Sequence, residues 1–247
     1  MKDLTITSAQ NRWFKTFKDI TRPQGIKKHG LFLLSGENLV KEFLSEKLFF
    51  EIVGEILTEG LKPLTDGKYF NLNKVLFNEI DTIGTKFNIL LIKAPEIPHW
   101  NENSQPQGVE VLCPLGDPVN LGAVARSALA FGATKLILTD EACHPFPPRA
   151  IKASSLALLK IPLFKAPGLA ALSPSAALWA LDRGGEDISR FSWPENLRLL
   201  VGEEGPGVPA HLRKQRISIP IANVESLNAA VAGGIALWTR SLTKSRR

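Results

Sequence analysis

From residue 109 onward, short continuous apolar runs alternate with stretches whose apolar positions recur at helical spacing. VEVLCPL (109–115), KLILT (135–139), KIPLF (160–164), ALWALD (177–182), LRLLVG (197–202) and ISIPI (217–221) have strand length and no polar alternation, the pattern of strands buried on both faces. Helical stretches lie between them near 121–131, 150–159 and 210–213, and a last one runs from about 227 to 242. This order predicts an α/β domain with a mostly parallel sheet covered by helices on both faces. Ligands in such sheets bind beyond the carboxyl ends of the strands. The first 95 residues are mixed: a helix near 10–20, an apolar run at 31–34, then an amphipathic helix near 39–48. Between the two parts, PEIPHWNENSQPQ (95–107) has three prolines and little periodicity, and reads as a linker or domain boundary. The expected division is therefore residues 1–95, a linker at 96–107, and 108–247.

Composition narrows the classes. The chain has 247 residues, 44% hydrophobic and 22% charged, with a formal net charge of +6, which is too apolar and too weakly charged for a disordered segment. No apolar run reaches the roughly 18 residues of a membrane helix. The start, MKDLTITSAQ, is too polar for a secretory signal, so a cytoplasmic location is expected. Cys113 and Cys143 then read as free thiols. His29, His99, His144 and His211 show no metal-ligand spacing with each other or with the cysteines, so no metal site is expected.

The charge is unevenly placed. Residues 1–30 carry seven Lys or Arg against two Asp, and residues 211–247 carry seven against one Glu, so the middle of the chain is net acidic. Basic ends suit a polyanionic partner, because Lys and Arg displace counterions from phosphates, although they also serve plain solubility.

Three segments fall just after predicted strands. In GDPVNLGAVARSALAFG (116–132), Asn120 sits at a strand-to-helix turn, where an amide caps the helix or holds a substrate. Arg126 follows on an otherwise apolar stretch and calls for a partner if it is buried; the plain alternative is a surface arginine. In VGEEGPGV (201–208), Gly202, Gly205 and Gly207 permit close backbone approach, while Glu203 and Glu204 repel phosphate, so the loop is either a tight turn or a seat for a neutral or cationic ligand. No dinucleotide or phosphate-loop fingerprint occurs. In IPIANVESLNAAVAGGIALW (219–238), Ser226 reads as an N-cap with Asn228 in the first helical turn. Leu227, Val231, Ile235, Trp238 and Leu242 form a stripe fit for core or subunit interface, and Gly233 and Gly234 point to close packing.

Taken in order, N-x-G-x-x-x-R with F-G five residues on, G-E-E-G-P-G, and I-P-I followed by E-S-L-N-x-A-V-A resemble the three motifs of the SpoU/TrmH family, 2′-O-ribose RNA methyltransferases of the SPOUT superfamily. The resemblance covers about 107–243. The N-terminal part, with ITSAQN and GLFLLSGENLVKEFL, is similar to the ribosomal-protein-like RNA-binding domain that often precedes the catalytic one. Two departures stand out: Ser35 replaces a usual glutamate, and the family commonly has glycine near Leu156. The resemblance implies a deep trefoil knot, a homodimer, and S-adenosylmethionine held by backbone around Gly202, Ile219 and Leu227. It assigns Arg126 to activation of the ribose hydroxyl, with Asn120, Glu204, Ser226 and Asn228 orienting it, the cofactor and the ribose. The expected substrate is structured RNA, ribosomal rather than transfer RNA. The competing readings are a non-catalytic RNA-binding or ribosome-assembly protein on the same scaffold, and an unrelated enzyme of a small nucleotide.

Overall fold

The structure, a computed structural model, describes residues 3–175, 177–202 and 207–244. The chain groups into two compact units, Met1–Glu96 with His144–Leu156, and Ile97–Cys143 with Ala157–Arg247.

The first unit holds a five-stranded mixed sheet, in the order β1 (Asp3–Ile6), β4 (Tyr69–Leu72), β3 (Ile52–Thr58), β5 (Ile89–Lys93), β2 (Leu31–Leu34). The first three strands run parallel, and β5 is antiparallel to both β3 and β2. The apolar run at 31–34 is β2, and the expected helices near 10–20 and 39–48 are α1 (Arg12–Asp19) and α3 (Glu37–Glu46). Asn11 starts α1 by accepting from the Trp13 N–H at 2.8 Å. Two more helices complete the series, α2 (Pro23–His29) and α4 (Lys74–Ile80). Phenylalanines dominate the core: Phe14, Phe17, Phe32, Phe43, Phe70 and Phe77 are all buried. Phe146, from 144–156, stacks on Phe32 with ring centroids 5.1 Å apart.

The second unit is a six-stranded, wholly parallel sheet. Its order is β11 (Arg216–Ser218), β9 (Leu178–Asp187), β10 (Leu197–Leu200), β6 (Val109–Cys113), β7 (Lys135–Leu138), β8 (Leu163–Lys165). All six predicted strands are present, with β9 running five residues past its expected end. The chain leaves β6 toward β8, then crosses to β9 and returns to β10 beside β6. That reversal places a cleft at the strand ends. Helix α5 (Pro118–Ala130) packs on α8 (Ala229–Lys244) and on α7 (Ala157–Lys160). Gly233 and Gly234 are where α8 comes close: a Cβ would lie 3.4 Å from Val201 Cγ2 at the first and 3.3 Å from Ser127 Oγ at the second.

Several local expectations change. The single helix at 150–159 is two, α6 (Pro148–Ser154) and α7, broken where Ser155 and Leu156 take φ of 48° and 64°. The start of the run at 160–164 accordingly ends α7, and the strand begins at Leu163. Residues 210–213 form only a 3-10 turn at Ala210–Leu212.

The polar stretch read as a linker is fastened to the second unit from Ile97. The Trp100 N–H donates to Lys165 O at 2.7 Å, and the Lys165 N–H donates to Pro98 O at 2.9 Å. Its carbonyls at Glu102 and Ser104 accept from Arg198, whose guanidinium lies 4.7 Å from the Trp100 ring centroid. Arg198 on β10 also pairs with the fully buried Glu110 on β6 at 3.2 Å, and Lys135 on β7 reaches the same carboxylate at 2.9 Å. Both charges are thus compensated inside the sheet. No described helix is long and apolar enough to cross a membrane.

Candidate active site

A cavity of about 870 Å³ opens at the carboxyl end of β10, against the middle of β9 and beyond β11, within the second unit. Its walls mix apolar and polar groups, the apolar part coming from Leu181, Val201, Val208, Ile219 and Leu227, with Gly202 between them. Gly202 lies against Leu181: a Cβ there would meet Leu181 O at 3.5 Å, an ordinary contact distance. Among the described residues, three charged side chains line the same space, Asp182 and Glu225 against Arg183. A cavity of this volume, with apolar wall and convergent polar groups, is large enough for a small-molecule ligand.

The three residues expected to hold a cofactor by backbone, Gly202, Ile219 and Leu227, all line this cavity, and so do Ser226 and Asn228. Asn120 is joined to them, because Asn228 Nδ2–H donates to Asn120 Oδ1 at 3.1 Å across 108 residues of sequence. The first and third segments therefore meet. Their capping roles differ from expectation. Asp117, not Asn120, caps α5, accepting from the Val119 and Asn120 N–H groups at 2.9 Å each. Asn228, not Ser226, caps α8, accepting from Ala230 N–H at 2.9 Å and Val231 N–H at 3.2 Å. The physical reason is reach: a cap side chain bonds the N–H two or three residues ahead, and α8 starts at Ala229.

Arg126 departs further. It is exposed on α5, is not among the residues lining the cavity, and forms no hydrogen bond or ion pair with a described residue. An exposed guanidinium remains hydrated and needs no partner, so the demand for one falls away. Glu204, with Glu203 beside it, lies outside the described residues.

Sequence reasoning missed the bend that forms one cavity wall. The β9–β11 pairing jumps from Ala180↔Arg216 to Glu186↔Ile217, so residues 181–185 bulge from the ladder. The signal was the Gly184–Gly185 pair closing an apolar strand, since paired glycines in a strand mark bulges.

The two thiols sit in this unit, away from catalytic chemistry. Burial pushes the Cys113 thiol up to about 12. Burial first, then the Asp117 carboxylate, does the same for Cys143. Neither is a thiolate at neutral pH.

The model of the SpoU rRNA Methylase family matches residues 109–238, the span that contains the cavity and both asparagines. The chain belongs to this family. Over 98% of its length it is 37% identical to "Ribosomal RNA small subunit methyltransferase G 2" of Syntrophobacter fumaroxidans, but it spans only 50% of that protein. It is 26% identical to the 23S rRNA (guanosine(2553)-2′-O)-methyltransferase RlmP of Bacillus subtilis, covering 94% of this chain and 97% of that one. The crystal structure of an AdoMet-bound rRNA methyltransferase from Sinorhizobium meliloti superposes with a TM-score of 0.80 at 23% identity, over 98% of this chain and 99% of that one. At that identity the likeness concerns the fold, which this SpoU family member shares along both of its parts.

Proposed function

We propose that the protein transfers a methyl group from S-adenosylmethionine to a ribose 2′-hydroxyl of structured RNA, ribosomal rather than transfer RNA. The observation that carries this reading is the cavity at the strand ends, where Gly202, Ile219 and Leu227 meet and the Asn228–Asn120 hydrogen bond joins two family segments at its edge. The cavity suits the cofactor. It has apolar wall for an adenine, backbone at Gly202, Ile219 and Leu227, and the carboxylates of Asp182 and Glu225 for a cation.

Bound there, S-adenosylmethionine supplies an electrophilic methyl group that the ribose oxygen takes by in-line displacement, so alignment is most of the task. Asn228 and Asn120, bonded to each other, hold their two loops in one register. Ser226 lines the cavity beside Asn228 and is placed to orient the bound molecule. The Arg126 guanidinium acts as a fixed positive field on the developing alkoxide, and the proton goes to solvent or phosphate. Glu204 completes the proposed catalytic set.

Two features support the assembly. Val231 (52% exposed), Trp238 (51%) and Leu242 (41%) form an apolar stripe on the open side of α8, suited to a second copy and hence to a homodimer. Arg12, Lys15, Arg22 and Lys27 are exposed in the first unit and form no ion pair with described residues, which suits RNA contact by 1–95 while 108–247 carries out transfer. We further propose the knotted threading of the family and a cytoplasmic location.

The deciding experiment maps 2′-O-methyl sites on total RNA from cells with and without the protein; one lost site names the substrate, and none refutes the activity. In purified form, Arg126→Ala should abolish transfer while calorimetry still detects S-adenosylmethionine binding. Intact turnover would remove Arg126 from the mechanism.

A further inference from the structure

The residues bulging from β9 are Leu181, Asp182, Arg183, Gly184 and Gly185, and the first four line the cavity. The bulge is closed at its neck by glycine. Gly184 takes φ +67°, and a Cβ on Gly185 would lie 2.5 Å from the Arg216 carbonyl carbon and 2.7 Å from Ile217 N. No other residue fits against that peptide, so the backbone position of the bulge is set by packing. Its far side is tied by Ser218 Oγ–H donating to Gly185 O at 2.9 Å and by Arg216 donating to Arg183 O at 3.2 Å.

Asp182 is the polar group this device carries into the site. Its side chain is 19% exposed, and Oδ2 lies 3.4 Å from Arg213 Nε, an ion pair with a guanidinium that itself donates to Val208 O. Its Oδ1 accepts no hydrogen bond from a described residue. Glu225 also lines the cavity, but it is exposed on a loop and is not held in this way. A carboxylate two residues past the end of the β9–β10 ladder, lining a ligand cavity, is placed as are the carboxylates that accept hydrogen bonds from ribose hydroxyls in open α/β sheets.

We infer that the Asp182 carboxylate, presented by the glycine-closed bulge of β9, binds the vicinal hydroxyls of the cofactor's adenosyl ribose. This rests on the cofactor reading above and adds a positioning residue that none of the three family segments contains. Arg213 is its partner behind the wall, and Gly184 and Gly185 set its height.

The test is calorimetry on the full chain with 5′-methylthioadenosine and its 2′,3′-dideoxy counterpart, ligands without amino-acid moiety or charge. The wild-type protein should prefer the ribose form by about 10- to 100-fold, the size expected for hydrogen bonds to a charged group. Asp182→Ala should erase the preference by weakening only the ribose form, with Asp182→Asn falling between. A merely structural role would weaken both ligands alike and keep the preference. Persistence of the preference in Asp182→Ala, or its absence from the wild type, overturns the inference while S-adenosylmethionine binding upholds the cofactor reading. Failure of the wild-type chain to bind either S-adenosylmethionine or methylthioadenosine overturns both.

Discussion

Asn228→Ala probes the point where stability and function meet. The substitution removes the acceptor of two N–H groups opening α8 and the donor to Asn120 Oδ1. A lost N-cap costs about 1 kcal/mol. A hydrogen bond between exposed side chains adds about 0.5 kcal/mol, so the total is roughly 1.5 kcal/mol. For a chain of this length that lowers Tm by about 3–6 °C, readable by thermal unfolding. Asn228→Ser keeps a cap but is too short to reach Asn120, so it should recover most of the Tm. The cycle with Asn120→Ala should show a coupling of about 0.5 kcal/mol. Methyl transfer, measured well below Tm, should fall about 10²-fold in both Asn228 variants, because misalignment rather than unfolding is the defect. A Tm within 1 °C of wild type, or Asn228→Ser as unstable as Asn228→Ala, would refute the capping argument. Full activity in Asn228→Ser would refute the alignment argument.

Glu110→Gln leaves Arg198 buried without its anion and should cost about 3–5 kcal/mol by urea unfolding, whereas Glu110→Leu with Arg198→Met should sit closer to wild type. Trp238→Glu should convert a dimer to monomer in sedimentation; a monomeric wild type would refute the proposed role of the α8 stripe. Cys143 carries its proton until pH nears about 12, so alkylation at pH 8 should be far slower than for a free cysteine and should quicken as pH rises; rapid labelling at pH 8 contradicts the burial. Ser155→Gly should raise stability by about 0.5–1 kcal/mol by relieving a left-handed φ, while Leu156→Gly should lower it by about 2–4 kcal/mol, both read from thermal unfolding.

The second unit was legible in the sequence because its strands are buried on both faces, and burial writes itself as unbroken apolar runs such as VEVLC and LRLL. The stripe on α8 was legible as period, but period alone does not separate core from interface. The exposure of Val231 and Trp238 places that side of the stripe at the surface. The first unit was harder, since strands such as YFNL are short and pair across long separations, with Glu55 at Tyr69 and Ile56 at Ile89, which no local pattern encodes. Of the site, the glycine loop and the last helix announced themselves by composition. The Asn120–Asn228 contact spans 108 residues and could be expected only through a family resemblance. The stretch read as a linker or domain boundary is bound to the second unit for a physical reason: polar, proline-rich chain is also what covers a buried arginine, and the carbonyls of Glu102 and Ser104 meet that need at Arg198.

Leu156 shows how a departure from a family pattern becomes intelligible once the backbone is known. In sequence it lies inside an apolar run of helical spacing, and nothing marks a break. The backbone turns there through two successive left-handed residues, the conformation in which glycine carries no steric penalty, and that accounts for a family preference for glycine near this position. The leucine is nonetheless fully buried. A left-handed φ costs roughly 1–2 kcal/mol, while burying a leucine side chain offsets 2–5 kcal/mol, so the apolar contact outweighs the strain and the bend survives without glycine. The two terms compete at a single residue, and only one of them can be read from the order of side chains.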